Sequence, residues 1–208
     1  MQTTLTAETT KELLRALKGA PVAVISDNLD RMPGLVGLKA FHRSGAMLGV
    51  AVTVRTRAGD NLAIHKALEL IKPGDVLVVD GGGDTSRALV GEIMKCIAES
   101  KGCAGFVIDG AIRDSAAFAA SDFPCYARAI NHRGPYKAGP GSINVPVSVG
   151  GSVIEPGDVV VGDEDGVVAF NPTHVPALVN AVAAQIKREE ATMQAIRNGT
   201  YRGEYGAR

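Results

Sequence analysis

The chain has 208 residues, of which 46% are hydrophobic, enough for one sizeable domain with a proper core. Lys plus Arg balance Asp plus Glu at 22 each, so the zero net charge excludes a broad nucleic-acid footprint, and no long run of like charge forms a tail. Three cysteines without Cys-x-x-Cys spacing, no basic-then-apolar N-terminal stretch and no window of roughly 20 apolar residues exclude a disulfide framework, a structural zinc site, a secretion signal and a membrane span; a cytoplasmic protein is expected.

Glycine is abundant at 25 residues and Trp is absent, which suits a strand-rich α/β domain with many tight turns. Residues 8–18 carry helical periodicity that ends at Gly19 and Pro21. Pro21–Ile25 is a short apolar run, and Ser26-Asp27 signals the start of a short helix over Asn28–Met32. Gly49–Arg57 alternates like a half-buried strand, Asn61–Leu70 is an amphipathic helix, and Lys72–Asp75 is a turn. Val76–Val79 reads as a buried strand that meets the loop Asp80–Asp84. A helical segment spans Thr85–Ser100 with a break or restart at Gly91-Glu92, and the strand Ala104–Ile108 follows Lys101-Gly102. This strand–helix–strand order predicts a parallel crossover. A helix from Ser115 to Ala120, a strand over Pro124–Ala129 and a Gly- and Pro-rich loop over Asn131–Gly141 come next. Short strands are predicted at Ser142–Val149, Ser152–Glu155, Val159–Val161 and Val167–Phe170, then a long amphipathic helix over Thr173–Arg197 and a polar tail.

The segment Asp109-Gly110-Ala111-Ile112-Arg113-Asp114 carries the most chemistry, because it ends a buried strand where parallel sheets hold their ligands. A carboxylate there can bind a metal and a guanidinium can bind an oxyanion; the plainer reading is a surface ion pair in a turn. In a parallel crossover, the start of the helix and the end of the second strand share one sheet edge. Gly91-Glu92 and Arg113-Asp114 are therefore expected to face each other. The free N–H groups after Gly91 would suit a carboxylate or phosphate, although Gly91 can equally serve a close turn and Glu92 its own helix. Gly81-Gly82-Gly83 lacks the Lys-Ser/Thr ending of a phosphate loop, so a nucleotide reading is rejected. Asp114 is a candidate ligand for a hard cation, with Glu92 and Asp84 able to hold its waters. His42, His65, His132 and His174 have no metal-ligand spacing and are expected on the surface or in loops, with His132 the candidate for a substrate contact; Lys95 is expected to be solvated.

The combination Gly81-Gly82-Gly83, Gly91-Glu92, Gly102, Gly105, Asp109-Gly110-x-x-Arg113-Asp114, Asn144-Val-Pro-Val147, Gly150-Gly151, Pro156-Gly-Asp-Val159 and Asp163-x-Asp165-Gly166-Val-Val168 resembles one family over about residues 20–200. It is the class II pyruvate aldolases of 4-hydroxy-4-methyl-2-oxoglutarate and 4-carboxy-4-hydroxy-2-oxoadipate, which share a fold with the regulator of ribonuclease activity A. The resemblance implies a single-domain α/β layered sandwich with a mixed β-sheet core, at about residues 20–172, plus the C-terminal helix at about 173–197. It implies Asp114 as ligand of Mg2+ or Mn2+, and Arg113 as the group that stabilises a pyruvate enolate during retro-aldol cleavage. Gly91 and the amides of Ile93 and Met94 would hold the pyruvyl carboxylate, with Glu92 near the metal-bound waters. It also implies a homotrimer or a dimer of trimers in which Glu189 or Glu190 reaches a neighbouring site, and decarboxylation of oxaloacetate as a side activity. The ribonuclease regulators typically keep the Arg and lose the following Asp, so Arg113-Asp114 falls on the catalytic side. The alternatives are a non-catalytic, ribonuclease-inhibiting binding protein and an enzyme of the same scaffold for another 2-oxo acid.

Overall fold

The structure is a computed structural model that describes residues 14–31 and 34–203. The helix expected over residues 8–18 lies mostly outside them, and its described end is a single 3-10 turn, Arg15–Leu17. Five helices follow: α1 (Val22–Asp27), α2 (Leu62–Leu70), α3 (Glu92–Ser100), α4 (Ser115–Ala119) and α5 (Val175–Arg197). The strands are β1 (Lys39–Ala40), β2 (Met47–Thr56), β3 (Asp75–Asp80), β4 (Ala88–Val90), β5 (Gly105–Ile112), β6 (Cys125–Ile130), β7 (Gly141–Ile143), β8 (Val147–Val149), β9 (Ser152–Ile154), β10 (Val159–Asp163) and β11 (Gly166–Phe170). No helix among the described residues is long and apolar enough to cross a membrane.

Nine strands form one mixed sheet in the order β1-β6-β5-β3-β2-β10-β11, with β4 on β5 and β7 on β2, while β8 and β9 pair separately. Strands β2, β3, β5 and β6 are parallel neighbours, which gives the crossover expected between β3 and β5. In β3, Val76, Leu77, Val78 and Val79 are all fully buried, because both faces of the sheet are covered. Leu77 and Val79 pack with Ile64, Leu68, Met94, Phe106 and Phe118 beneath α2, α3 and α4. Val76 and Val78 pack on the other face with Met47, Val107, Tyr126, Ile154 and Val160. Each such side chain contributes about 1.5–3 kcal/mol on burial. A third cluster joins α1 and α5 to Val159, Val161, Val168 and Phe170. The sheet curls until it is nearly closed: Tyr126 on β6 donates its hydroxyl to the Asp163 carbonyl on β10 at 3.0 Å. A Cβ at Gly162 would stand 2.9 Å from the Tyr126 ring, so glycine makes that approach possible.

Four expectations from the sequence need correction. The first short helix is Val22–Asp27 rather than Asn28–Met32. Pro21 precedes it in an extended conformation, and its first amide is capped from afar, Val22 N–H donating to Asp163 Oδ2 at 2.8 Å. The segment before Gly91 is not helical: Ala88, Leu89 and Val90 form β4, all three buried. Strand β5 does not stop at Asp109 but runs on to Ile112 through an irregular register, with β6 along one side and β4 along the other, beyond the last residues paired with β3. Leu89 seats β4 there by lying over two residues without side chains; a Cβ at Gly81 or Gly110 would come within 2.6 or 2.8 Å of its Cδ1. Finally, Ser142–Val149 is two strands, because Asn144 adopts a positive φ of 54° between them.

Removing the distant cap in Asp163→Ala lowers unfolding free energy by about 1 kcal/mol. Urea titration followed by circular dichroism checks this value.

Candidate active site

Crossover α3 brings its first turn back to the edge where β5 ends, and the two corners meet. Arg113 donates its backbone N–H to the Val90 carbonyl at 3.0 Å, which locks the end of β5 to β4. Asp114 follows in the left-handed region, φ 57° and ψ 38°, a conformation Asp tolerates better than most residues but that still costs energy. That turn throws its carboxylate across the start of α3, where Oδ2 accepts the Glu92 N–H at 3.0 Å. Gly91 is extended here, so its backbone needs no glycine; space does, because a Cβ would collide with the Asp114 carboxylate. With glycine as its N-cap, α3 has no side-chain cap of its own, and the first-turn amides of Ile93 and Met94 have no intrahelical partner.

Arg113 Nε stands 3.7 Å from Asp114 Oδ2, with both side chains more than 40% exposed. A pair this exposed adds little stability. Asp114 Oδ1 has no protein partner among the described residues. Next to these groups lies a cleft of about 270 Å³. Gly91, Ile93, Met94, Arg113 and Asp114 line it together with Asn61, His65 and Lys137, none of which was expected at the site.

The remaining expected residues sit apart. Glu92 contributes its amide to Asp114, and its side chain is exposed and does not line the cleft. Asp84 is turned into its own loop, accepting from Ser86 N–H and Oγ at 2.9 Å each, and does not line the cleft. Glu189 accepts from Gln185 Nε2 on α5 at 2.8 Å, and Glu190 is exposed on the same helix; neither lines the cleft of its own chain. Asp109, first in the segment, is buried in β5 and paired with Arg128 of β6. Lys95 is buried with its ammonium 3.1 Å from Glu99, not solvated as expected. Cys103 and Cys125 are buried free thiols, and burial raises the Cys103 pKa to about 11, so neither is reactive.

His65 departs most from expectation. It is half-buried at the cleft wall, and burial, helped by the nearby Lys137 charge, lowers its pKa and so disfavours the charged imidazolium. The signal was present: His65 lies four residues after Asn61 on the predicted helix, so both share one face. His132 is exposed and outside the cleft lining.

The cleft wall that carries Lys137 is the loop between β6 and β7, anchored by Asp60. This carboxylate is fully buried and accepts from Leu62, Ala138 and Gly139 N–H at 2.8–2.9 Å, with Arg57 at 3.5 Å. Arg87 adds a bond to the Gly134 carbonyl at 2.8 Å and stacks 4.1 Å from the Tyr136 ring centroid.

The family model described as RraA-like, Aldolase/RraA, matches residues 22–169, and the chain belongs to this family. A relative from Halalkalibacterium halodurans named "Putative 4-hydroxy-4-methyl-2-oxoglutarate aldolase" is 38% identical over 89% of this chain and 89% of its own length. Among solved structures, the Streptomyces coelicolor protein RraAS2, titled an unusual member of the RNase ES inhibitor RraA family, has a TM-score of 0.80 at 28% identity, covering 88% of this chain and 96% of that one. The RNA-processing inhibitor RraA from Thermus thermophilis has a TM-score of 0.68 at 32% identity, covering 73% of this chain and 93% of that one.

Burial works to raise the Asp60 pKa, but three amides and Arg57 outweigh it, so the folded-state value lies below the ordinary one. The stability this contributes is fully present above the ordinary carboxylate pKa and is lost as pH falls through the depressed folded value. Asp60→Asn is therefore expected to lose less stability than the wild type between pH 5 and strongly acid solution, about pH 2–3. Urea unfolding across that range gives the comparison.

Proposed function

We propose that this chain is a pyruvate-releasing, divalent-metal-dependent aldolase that cleaves a 4-hydroxy-2-oxo di- or tricarboxylate such as 4-hydroxy-4-methyl-2-oxoglutarate or 4-carboxy-4-hydroxy-2-oxoadipate. The observation that carries the reading is the Asp114 carboxylate held across the uncapped start of α3 beside Arg113. The name of the Halalkalibacterium relative supports the same chemistry.

The residues present fit a hard cation. Asp114 keeps one carboxylate oxygen without a protein partner, and Mg2+ or Mn2+ binds through one or two carboxylates while retaining waters. Among the described residues no group of three or more His, Cys, Asp or Glu could cage a softer metal. Asp114 would hold the ion, which when bound supplies Lewis-acid polarisation of the 2-keto oxygen.

The protein's own groups do the rest. The Ile93 and Met94 amides take the pyruvyl carboxylate at the positive end of the α3 dipole. Arg113 donates to the 2-keto oxygen and stabilises the negative charge that grows there as the C3–C4 bond breaks. Glu92, an exposed carboxylate between the lining residues Gly91 and Ile93, takes the C4 hydroxyl proton through solvent and returns one to C3, which releases pyruvate. Oxaloacetate decarboxylation passes through the same enolate, so the same groups serve it. Glu189 or Glu190 of a neighbouring subunit, in a trimer or a dimer of trimers, would complete the acidic side of the site.

The names of the Thermus and Streptomyces relatives favour a second reading, a binding protein that inhibits a ribonuclease without turnover. The two readings separate in one assay: pyruvate release from 4-hydroxy-4-methyl-2-oxoglutarate and from oxaloacetate, after chelation and after return of Mg2+ or Mn2+. The aldolase reading expects release only with metal, its loss in Asp114→Ala, and a fall in kcat of about 10²–10³-fold in Arg113→Ala. No release from either compound in the presence of metal would favour the binding protein.

A further inference from the structure

We propose that Asn61 and Lys137, with His65 between them in the cleft lining, form a second subsite that recognises the part of the substrate beyond the bond being broken: a hydroxyl on Asn61 Oδ1 and a carboxylate on Lys137. This assignment rests on the aldolase reading and names what determines the substrate's length and pattern.

Asn61 is 3% exposed and lines the cleft. Its Nδ2 is committed, donating to the Leu89 carbonyl at 3.0 Å and lying 3.5 Å from Met94 Sδ. Turning the amide over would set oxygen against the Leu89 carbonyl, so the donor side is fixed and Oδ1 is left as the acceptor. Among the described residues, Oδ1 is the buried side-chain polar atom without a partner. Folded proteins rarely leave such an atom unmatched unless a water or ligand meets it. An amide oxygen accepts a hydroxyl and repels a carboxylate, so a hydroxyl group fits this position.

Lys137 supplies the opposite preference. It has no acidic partner among the described residues, it lines the same cleft, and its charge is felt by His65. Lys137 and His65 line the same cleft, and the lowered His65 pKa disfavours a second positive charge beside the ammonium, so this part of the cleft suits a carboxylate on Lys137. The mounting is preorganised, since Asp60 binds the amides of Ala138 and Gly139, immediately after Lys137, and Leu62, immediately after Asn61. A 4-hydroxy-2-oxo diacid presents a pyruvyl end, a hydroxyl and a distal carboxylate in that order. The α3 amides, Asn61 and Lys137 offer the matching groups.

The test compares three reactions that need different parts of the substrate: exchange of the pyruvate methyl protons with D2O, oxaloacetate decarboxylation, and cleavage of 4-hydroxy-4-methyl-2-oxoglutarate. Lys137→Met alters an exposed side chain and should fold normally. It is expected to raise KM for the hydroxy diacid about tenfold or more, with kcat changed far less and methyl-proton exchange unchanged. Asn61→Ala, checked for folding by circular dichroism, is expected to lose kcat/KM on the hydroxy diacid by a similar factor while keeping oxaloacetate decarboxylation, whose substrate has no such hydroxyl. A wild type active in these reactions, with variants that lose all three in parallel or leave the hydroxy diacid untouched, overturns the subsite alone. A wild type that neither exchanges nor cleaves overturns the aldolase reading and this one with it.

Discussion

One hydrogen bond, from the Glu92 amide to the Asp114 carboxylate, joins the start of a helix to the end of a strand 22 residues further along the chain. It forms only because a parallel crossover returns both to the same sheet edge and because Gly91 leaves the carboxylate room. The bond occupies one oxygen of Asp114 and one amide of α3. The other oxygen and the next two amides are left facing a cleft. A strained left-handed residue, a helix start without a cap from its own N-cap residue and an exposed ion pair are each unfavourable or neutral for folding, and together they form the site we propose for an oxyanion and a hard cation.

The rest of the fold holds these corners still. Three buried groups do most of this work, each joining separate elements of the fold. Asp60 ties the β6–β7 loop to the head of α2. Leu89 seats β4 over Gly81 and Gly110, and Asp109 pairs with Arg128 on the strand that leads to the candidate site. The site thus stands on the rigid sheet rather than on a free loop, although one wall is a loop by its backbone path. A dicarboxylate with a central hydroxyl matches the arrangement from the α3 amides to Lys137, whereas a flat protein partner has no use for a buried acceptor such as Asn61 Oδ1.

How much of this was legible in the sequence depends on the range of the forces involved. The crossover and the meeting of Gly91-Glu92 with Arg113-Asp114 could be read because β-branched runs and helix punctuation are local signals and parallel connectivity is nearly obligatory. The mistakes fall where tertiary contacts override local preference. Ala88-Leu89-Val90 looks helical in isolation and becomes a strand because an irregularity in β5 leaves an edge to pair. Helix α1 starts at Val22 because a carboxylate from β10 caps it, which no local pattern encodes. Asn61, His65 and Lys137 were missed for a related reason: two of them share a helix face visible in the sequence, but the loop that brings Lys137 opposite is set by a single buried aspartate.

The central claim is that the Gly91 gap, through Asp114, creates the metal and enolate site. Mn2+ affinity of wild type and Gly91→Ala, read by electron paramagnetic resonance on protein shown by circular dichroism to be folded, tests it directly. The account predicts a folded variant with Mn2+ affinity lowered about 10–100-fold, since the methyl group must displace the Asp114 carboxylate from its place on α3. A folded Gly91→Ala protein that binds Mn2+ as tightly as the wild type would contradict it.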